Sequence, residues 1–234
     1  MKPTSTAREA VSEIPDGATV LVSGFGGAGT PVELLHALID HGARDLTVVN
    51  NNVGNGYVGL AALIATGRVR KMICSFPRSV DPRAFRAQYT AGRIELELVP
   101  QGTLAERLRA GGSGIPAFYT RAGVGTELSA GKESREFDGR TYILEKALRG
   151  DFALVKALRA DTAGNLIFNK AARNFGPVMC MAAARTIVQV SEVVEAGALD
   201  PEHIVTPGIF VDHLVEVGQP IQEEELVAQG VVYP

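Results

Sequence analysis

The chain has 234 residues, 46 % hydrophobic and 21 % charged, with a net charge of −3 at pH 7. That mix fits a soluble globular protein with a sizeable core. The balance excludes the clustered basic excess that nucleic-acid binding needs. Cys74 and Cys180 make no disulfide framework. No run of about 18 apolar residues predicts a membrane span, and the N-terminus lacks the apolar core of a signal peptide, so a cytoplasmic location is expected. His36, His41, His203 and His213 stand apart from any cysteine or acidic cluster with ligand spacing, and no metal site is expected. The densest basic group, Arg68, Arg70 and Lys71, reads as a solvated face.

After the breaker pair Asp16-Gly17, the apolar, β-branched run 19–23 predicts a buried strand. "SGFGGAGTP" follows, over residues 23–31. Thr30, Pro31 and Glu33 then offer an N-cap, a first-turn proline and a capping-box partner. Leu34, Leu35, Leu38 and Ile39 give the apolar stripe of a helix, and Gly42 its C-terminal stop. His36 falls on the polar side of that helix and is expected at the surface. Residues 46–50 predict the second strand, ending in Asn50-Asn51-Asn52. A strand–loop–helix–strand order implies a parallel sheet with crossover helices. The alternation continues with a helix over 59–67, a strand over 69–75, a helix over 85–92, a strand over 94–99 and a helix over 103–110. Residues 109–126 read as a long glycine-rich connection. Asp138-Gly139 predicts a hairpin turn, and residues 152–168 a second hairpin turning near Gly164-Asn165. A Met- and Ala-rich helix over 176–185 and a strand over 186–194 precede a polar, acidic end. The expected fold class is α/β: a largely parallel open sheet with flanking helices, plus antiparallel hairpins. One domain is expected over 1–218, with a tail or interface arm over 219–234.

Gly24, Gly26 and Gly29 have the spacing G-x-G-x-x-G. A dinucleotide site would place the third glycine in the first helical turn and an acidic residue at the end of the second strand. Here the helix-start signals follow Gly29 and the second strand ends in asparagines, so both requirements for NAD fail. A glycine loop before a helix can instead present unpaired N–H groups to an anion or a developing oxyanion. The simpler alternative is a tight turn that needs positive φ. Ser23, Asn51, Asn52 and Gln101 each follow or end a predicted strand, where ligands bind in doubly wound sheets. Side-chain amides there orient a carboxylate without titrating, or they serve as turn formers.

"DGATVLVSGFGGAGTP" resembles the N-terminal signature of the family I coenzyme A transferases. "DLTVVNNNVGNG", "VPQGTLAERLRAGGSGIPAFYT", "GVGTELSAGKESREFDGRTYILE", "DFALVKALRADTAGNL", "KAARNFGPVMCMAA" and "LDPEHIVTPGIFV" are similar to that family's α subunit, in the same order. Ser23 stands where the family has the first glycine of Gly-Gly-Phe, Asn50 where a serine is usual, and Arg121-Ala122 where Pro-Thr is common. The resemblance implies a CoA-transferase-like fold and transfer of CoA from an acyl-CoA such as succinyl-CoA to a 3-oxo acid. No permanently bound cofactor is implied, since coenzyme A is itself a substrate. "NGYVGLAAL" and "VRKMICSFPR" are more similar to the branch that uses 3-oxoadipate than to the one that uses acetoacetate. Carried over by motif, the CoA-binding stretch is Ser23, Gly24, Phe25, Gly26, Gly27, Ala28 and Gly29. Asn51, Asn52 and Gln101 are the implied substrate-orienting amides, and Arg78 is a candidate cation for a distal carboxylate. The family's nucleophilic glutamate lies in a Ser-Glu-Asn-Gly motif of the β subunit. No Glu-Asn-Gly occurs in this chain, so its own catalytic residues are expected to be none. The expected partner is a β subunit, in an α2β2 assembly, with no nucleic acid and no membrane. Cys74 is expected to be a packing residue.

Overall fold

A computed structural model describes residues 1–233. In chain order its elements are α1 (Ala7–Val11), β1 (Thr19–Val22), α2 (Val32–His41), β2 (Leu46–Val49), α3 (Gly59–Ala65), β3 (Val69–Cys74), α4 (Arg83–Thr90), β4 (Glu95–Leu98) and α5 (Gln101–Gly112). These are followed by β5 (Ala117–Thr120), β6 (Ser134–Phe137), β7 (Arg140–Lys146), β8 (Gly150–Lys156), β9 (Arg159–Asp161), β10 (Leu166–Ile167), α6 (Gly176–Ala182), β11 (Ala183–Val190), β12 (Glu192–Val194), β13 (His213–Glu216) and α7 (Glu223–Ala228).

The apolar runs that predict strands collect into one seven-stranded sheet, ordered β13-β11-β8-β1-β2-β3-β4. Every neighbouring pair in it is parallel. Strand periodicity sorts β1 onto two cores. Val20 and Val22 join Leu34, Leu35 and Leu38 of α2 and Leu60 and Leu63 of α3 on one face. Leu21 joins Leu104 and Leu108 of α5 and Met179 and Cys180 of α6 on the other. A parallel sheet covered on both faces needs such all-apolar strands, and each fully buried leucine contributes about 2 kcal/mol. The chain runs outward from β1 through β2 and β3 to β4, then returns to place β8 on the opposite side of β1. The strand order therefore reverses at the carboxyl ends of β1 and β8, where doubly wound folds hold ligands. Two small sheets complete the fold: β5-β7-β6, antiparallel, and β10-β9-β12, mixed. The α/β class, with antiparallel hairpins beside a parallel sheet, is as expected.

Several local expectations are corrected. Helix α2 starts at Val32 with Pro31 as its cap and no side-chain capping bond. The capping box fails because the Glu33 carboxylate is taken by the backbone N–H of Ile221 (2.6 Å) and by Gln189. His36 is buried, not superficial. Its ring stacks on Tyr233 with centroids 3.7 Å apart, and its Nε2 accepts from the N–H of Gly59 at 3.0 Å. The connection over 109–126 contains a strand, β5, paired with β7. The second hairpin is smaller than expected: β8 belongs to the parallel sheet, and only β9 and β10 pair antiparallel. Helix α6 stops at Ala182, and the strand predicted over 186–194 is split between β11 and β12 in different sheets.

Residues after Gly218 lie back against the parallel-sheet layer. The Lys156 ammonium donates to the Ile221 carbonyl at 3.3 Å, the Tyr233 N–H donates to Tyr57 O at 2.9 Å, and the Tyr233 hydroxyl meets Asp40 at 3.0 Å.

Candidate functional site

The loop after β1 is a tight turn that stands clear of the helix. Phe25 N–H donates to Ala28 O at 3.0 Å, and Thr30 N–H to Gly27 O at 3.2 Å. Gly24, Gly26 and Gly29 have φ of +135°, +63° and +81°, a region open to glycine at little steric cost. Two of them are also forced by close approach. A Cβ on Gly24 would lie 2.8 Å from Thr30 Oγ1, and one on Gly29 would lie 2.5 Å from the Ala172 carbonyl oxygen. The tight-turn reading therefore holds, with this chain's own Thr30 and Ala172 packed against the glycines. Ser23, fully buried, ties the loop at its base. Its hydroxyl donates to Gly29 O at 2.7 Å and accepts from Lys156 N–H at 3.1 Å. Ala28 faces Phe25 in an antiparallel bridge, and among the described residues the N–H groups of Gly26, Gly27 and Gly29 donate to nothing. These free donors belong to the turn; the two residues Thr30 and Pro31 separate it from the first turn of α2.

The three asparagines divide their tasks. Asn50 donates to Val22 O at 2.8 Å and accepts from Asn52 N–H at 2.8 Å. Asn52 donates to Gly26 O at 3.3 Å and accepts from Gly54 N–H at 2.8 Å. Both amides therefore brace the turn. Asn51 Oδ1 is buried without a partner, as is the Ser75 hydroxyl. An unmet buried polar atom costs about 1–3 kcal/mol unless something arrives to bond it.

A cleft of about 470 Å³ opens beside them, lined by Phe25, Gly26, Asn51, Asn52, Asn55, Ser75, Phe76, Arg78, Ser79, Val80 and Gln101. It gathers all four expected substrate-side residues with the tip of the glycine turn. Arg78 has no acidic partner among the described residues. Phe25, Phe76 and Val80 are exposed at 48 %, 56 % and 97 %, an apolar rim on an otherwise polar mouth. No lining residue is acidic, and Cys74, the last residue of β3, is buried with its thiol pushed up to about 12 by burial. Burial likewise pushes the Cys180 thiol up to about 12. The cleft therefore holds donors, amides, two serine hydroxyls and a cation, but no carboxylate and no thiol.

A second cleft of about 430 Å³ lies on the other side of the turn, with Gly27, Ala28, Gly29, Lys156, Lys170 and Glu224 among its lining residues. Burial lowers the Lys156 ammonium, with Glu33, Glu224 and Glu223 acting against it. The Glu224 carboxylate lies directly over Gly27, where any Cβ would collide with it. Asn50, Ser75, Lys156 and Asn174 were not singled out by sequence. An apolar run that ends in lysine, as β8 does, is the one local signal among them.

No helix among the described residues is long and apolar enough to cross a membrane, and no cluster of metal-ligating side chains occurs among them. A family model for coenzyme A transferases matches residues 4–217, and the chain belongs to that family as an α-type subunit. It is closely related to a 3-oxoadipate CoA-transferase subunit of Pseudomonas putida, with 60 % identity over 208 residues, 89 % of this chain and 90 % of that one. A probable succinyl-CoA:3-ketoacid coenzyme A transferase subunit of Bacillus subtilis (strain 168) is 53 % identical over 211 residues, 90 % of this chain and 88 % of the relative. An acyl-CoA transferase from Escherichia coli O157:H7, solved as a thioester complex with CoA, superposes with a TM-score of 0.85 at 24 % identity. The match covers 94 % of this chain and 50 % of that one, so this chain spans half of that enzyme's length. A variant of the decarboxylase AibA/AibB superposes with a TM-score of 0.81 at 26 % identity, covering 98 % and 92 % of the two chains. The fold thus carries more than one chemistry.

Proposed function

We propose that this chain is the α subunit of a transferase that moves CoA from succinyl-CoA to a 3-oxo acid, 3-oxoadipate foremost, through a glutamyl-CoA thioester on a β subunit. The observation that carries this is the cleft without a carboxylate: the Gly26 end of the turn, Asn51, Gln101 and Arg78 line it together, and no lining residue offers a carboxylate or a thiol. The partner's glutamate attacks the succinyl thioester carbon, breaking the C–S bond. A glutamyl–succinyl anhydride forms and CoA leaves as the thiolate. The thiolate then attacks the glutamyl carbon, giving glutamyl-CoA and free succinate. The 3-oxo acid carboxylate repeats the two steps in reverse, leaving the glutamate free. Splitting one transfer in this way gives ping-pong kinetics.

In each step an oxygen gains charge at a tetrahedral carbon. The free N–H of Gly26, at the edge of this cleft, supplies a preorganised donor there, worth about 3–4 kcal/mol by comparison with other oxyanion holes. Asn51 and Gln101 orient the reacting carboxylate, and Arg78 takes the distal one. Bidentate pairing with a guanidinium favours a dicarboxylate, which sets 3-oxoadipate ahead of acetoacetate. The names of the two relatives reported above give 3-oxoadipate and a 3-ketoacid. The β subunit closes over the rim of Phe25, Phe76 and Val80.

Co-purification with a β chain bearing Ser-Glu-Asn-Gly, followed by assay of succinyl-CoA with 3-oxoadipate and with acetoacetate, tests the assignment. Transfer by the pair alone, with the higher kcat/KM on 3-oxoadipate, is expected. Full turnover by the isolated chain would overturn it.

A further inference from the structure

The glycine turn is held by a residue 150 positions away from Gly24. Asn174 follows the short 3-10 turn Lys170–Arg173 and stands two residues before α6. Its Oδ1 accepts from Gly24 N–H at 3.2 Å and from Phe175 N–H at 2.7 Å. Its Nδ2 donates to Ala28 O at 2.9 Å and to Ala171 O at 3.1 Å. An amide has two acceptor sites and two donor hydrogens, so all of its capacity is used and its orientation is fixed. Gly24 lies just before the Phe25–Ala28 turn and Ala28 closes it, so a single side chain grips both shoulders of the turn. The grip is close as well as bonded. The Ala172 carbonyl sits where a Cβ on Gly29 would fall, and Lys170 adopts φ +50°, a left-handed conformation that side chains rarely take without compensation.

We propose that Asn174 is a positioning residue for CoA transfer: by holding Gly24 and Ala28 it fixes the free N–H groups between them at the reacting oxygen. It bonds backbone only and lines neither cleft, so it acts through the turn. The inference rests on the oxyanion role assigned above to that turn. Donors of this kind are effective only when held within about 0.5 Å of the productive position, and a 1 Å displacement can cost on the order of 100-fold in rate.

Two measurements test it. In the isolated chain, hydrogen exchange at the Gly24 and Phe25 amides should quicken at least about tenfold in Asn174→Ala, with β1 and β2 amides unchanged. In the complex with the β subunit, kcat should fall roughly 10- to 100-fold while both KM values stay within about threefold. Asn174→Asp keeps the acceptor for Gly24 but loses the donor to Ala28, so it should lie between wild type and Asn174→Ala in both measurements and guards against loss of folding. Unchanged exchange overturns the proposal. So does faster exchange with undiminished kcat, or a kcat loss matched by dissociation of the complex. If the wild-type pair transfers no CoA while the exchange result holds, the oxyanion role fails and the grip on the turn stands.

Discussion

Replacing Glu223 with glutamine should flatten the pH dependence of stability above pH 5. Glu223 is 2 % exposed, and neither carboxylate oxygen has a hydrogen-bond partner. Burial, then the neighbouring Glu224, raises its carboxyl from 4.5 to about 7, and nearby Asn55 and Lys156 offset only part of this. The unfolded chain loses this proton near pH 4.5, whereas the folded chain keeps it until about pH 7. Between those values unfolding releases a proton, so stability falls as pH rises. At about 1.4 kcal/mol per pH unit the full loss is about 3 kcal/mol, or roughly 6–12 °C in Tm for a chain of this size. His36 opposes it. Burial lowers its imidazole from 6.5 to about 4, so its contribution is present above pH 6.5 and lost as pH falls through 4. Subtracting wild type from Glu223→Gln at each pH cancels the histidine, because both proteins carry it. Melting curves at pH 5, 6, 7 and 8 should show the variant gaining on wild type by roughly 5–10 °C across the series, since part of the loss lies below pH 5. A difference that stays constant with pH would refute the idea that a buried, unpartnered carboxylate is being forced to ionise.

Three substitutions probe the first cleft. Valine at Gly26 meets no neighbour within 4 Å but inherits φ +63°. It should cost about 1–2 kcal/mol of stability from the backbone alone, seen in a melt, and abolish CoA transfer by the paired subunits. Retained transfer would remove the turn from the reaction. Gln101→Ala should leave Tm within about 2 °C and raise KM for the acceptor acid about five- to tenfold, the worth of one neutral hydrogen bond. Arg78→Met should lower kcat/KM for 3-oxoadipate roughly 10- to 100-fold and leave acetoacetate within about twofold, as loss of a charge-assisted pair requires. An unaltered preference between the acids would dispose of its role.

The elements carried by local periodicity were legible. The β1 run, the Leu34–Leu35–Leu38 stripe of α2 and its Gly42 stop, at φ +93°, formed where the pattern put them. What misled was settled by distant residues. Glu33 has the spacing of a capping box, but Ile221, 188 positions on, offers it a backbone N–H. His36 lies on a polar arc of the helix only until Tyr233 covers it. The short apolar run of β8 suits a hairpin arm as well as a central parallel strand, and pairing with β1 and β11 decides between them. At the candidate site, the structure brings Asn51, Asn52, Gln101 and Arg78 to one cleft, and the sequence names these residues without ranking them. It could not separate Asn51, whose amide oxygen is unmet, from Asn50 and Asn52, whose amides are spent on the turn. That distinction needs the crossing of β1 and β2 ends in space. Asn174 carried no local signal, because its four partners lie on two segments far apart in sequence.

The Glu224 carboxylate resting over Gly27 has a practical consequence for experiments on the chain alone. A carboxylate attached to the same polypeptide is present at a fixed, high effective concentration that no dilution lowers. Any soluble acid or phosphate offered to that side of the turn must first displace it. The measured Kd is then the intrinsic value divided by the fraction of chains with the segment lifted. If the turn takes anions as proposed, titrations on the lone chain would therefore report weak binding there. Replacing Glu224 with alanine should make the same loop take such anions more tightly.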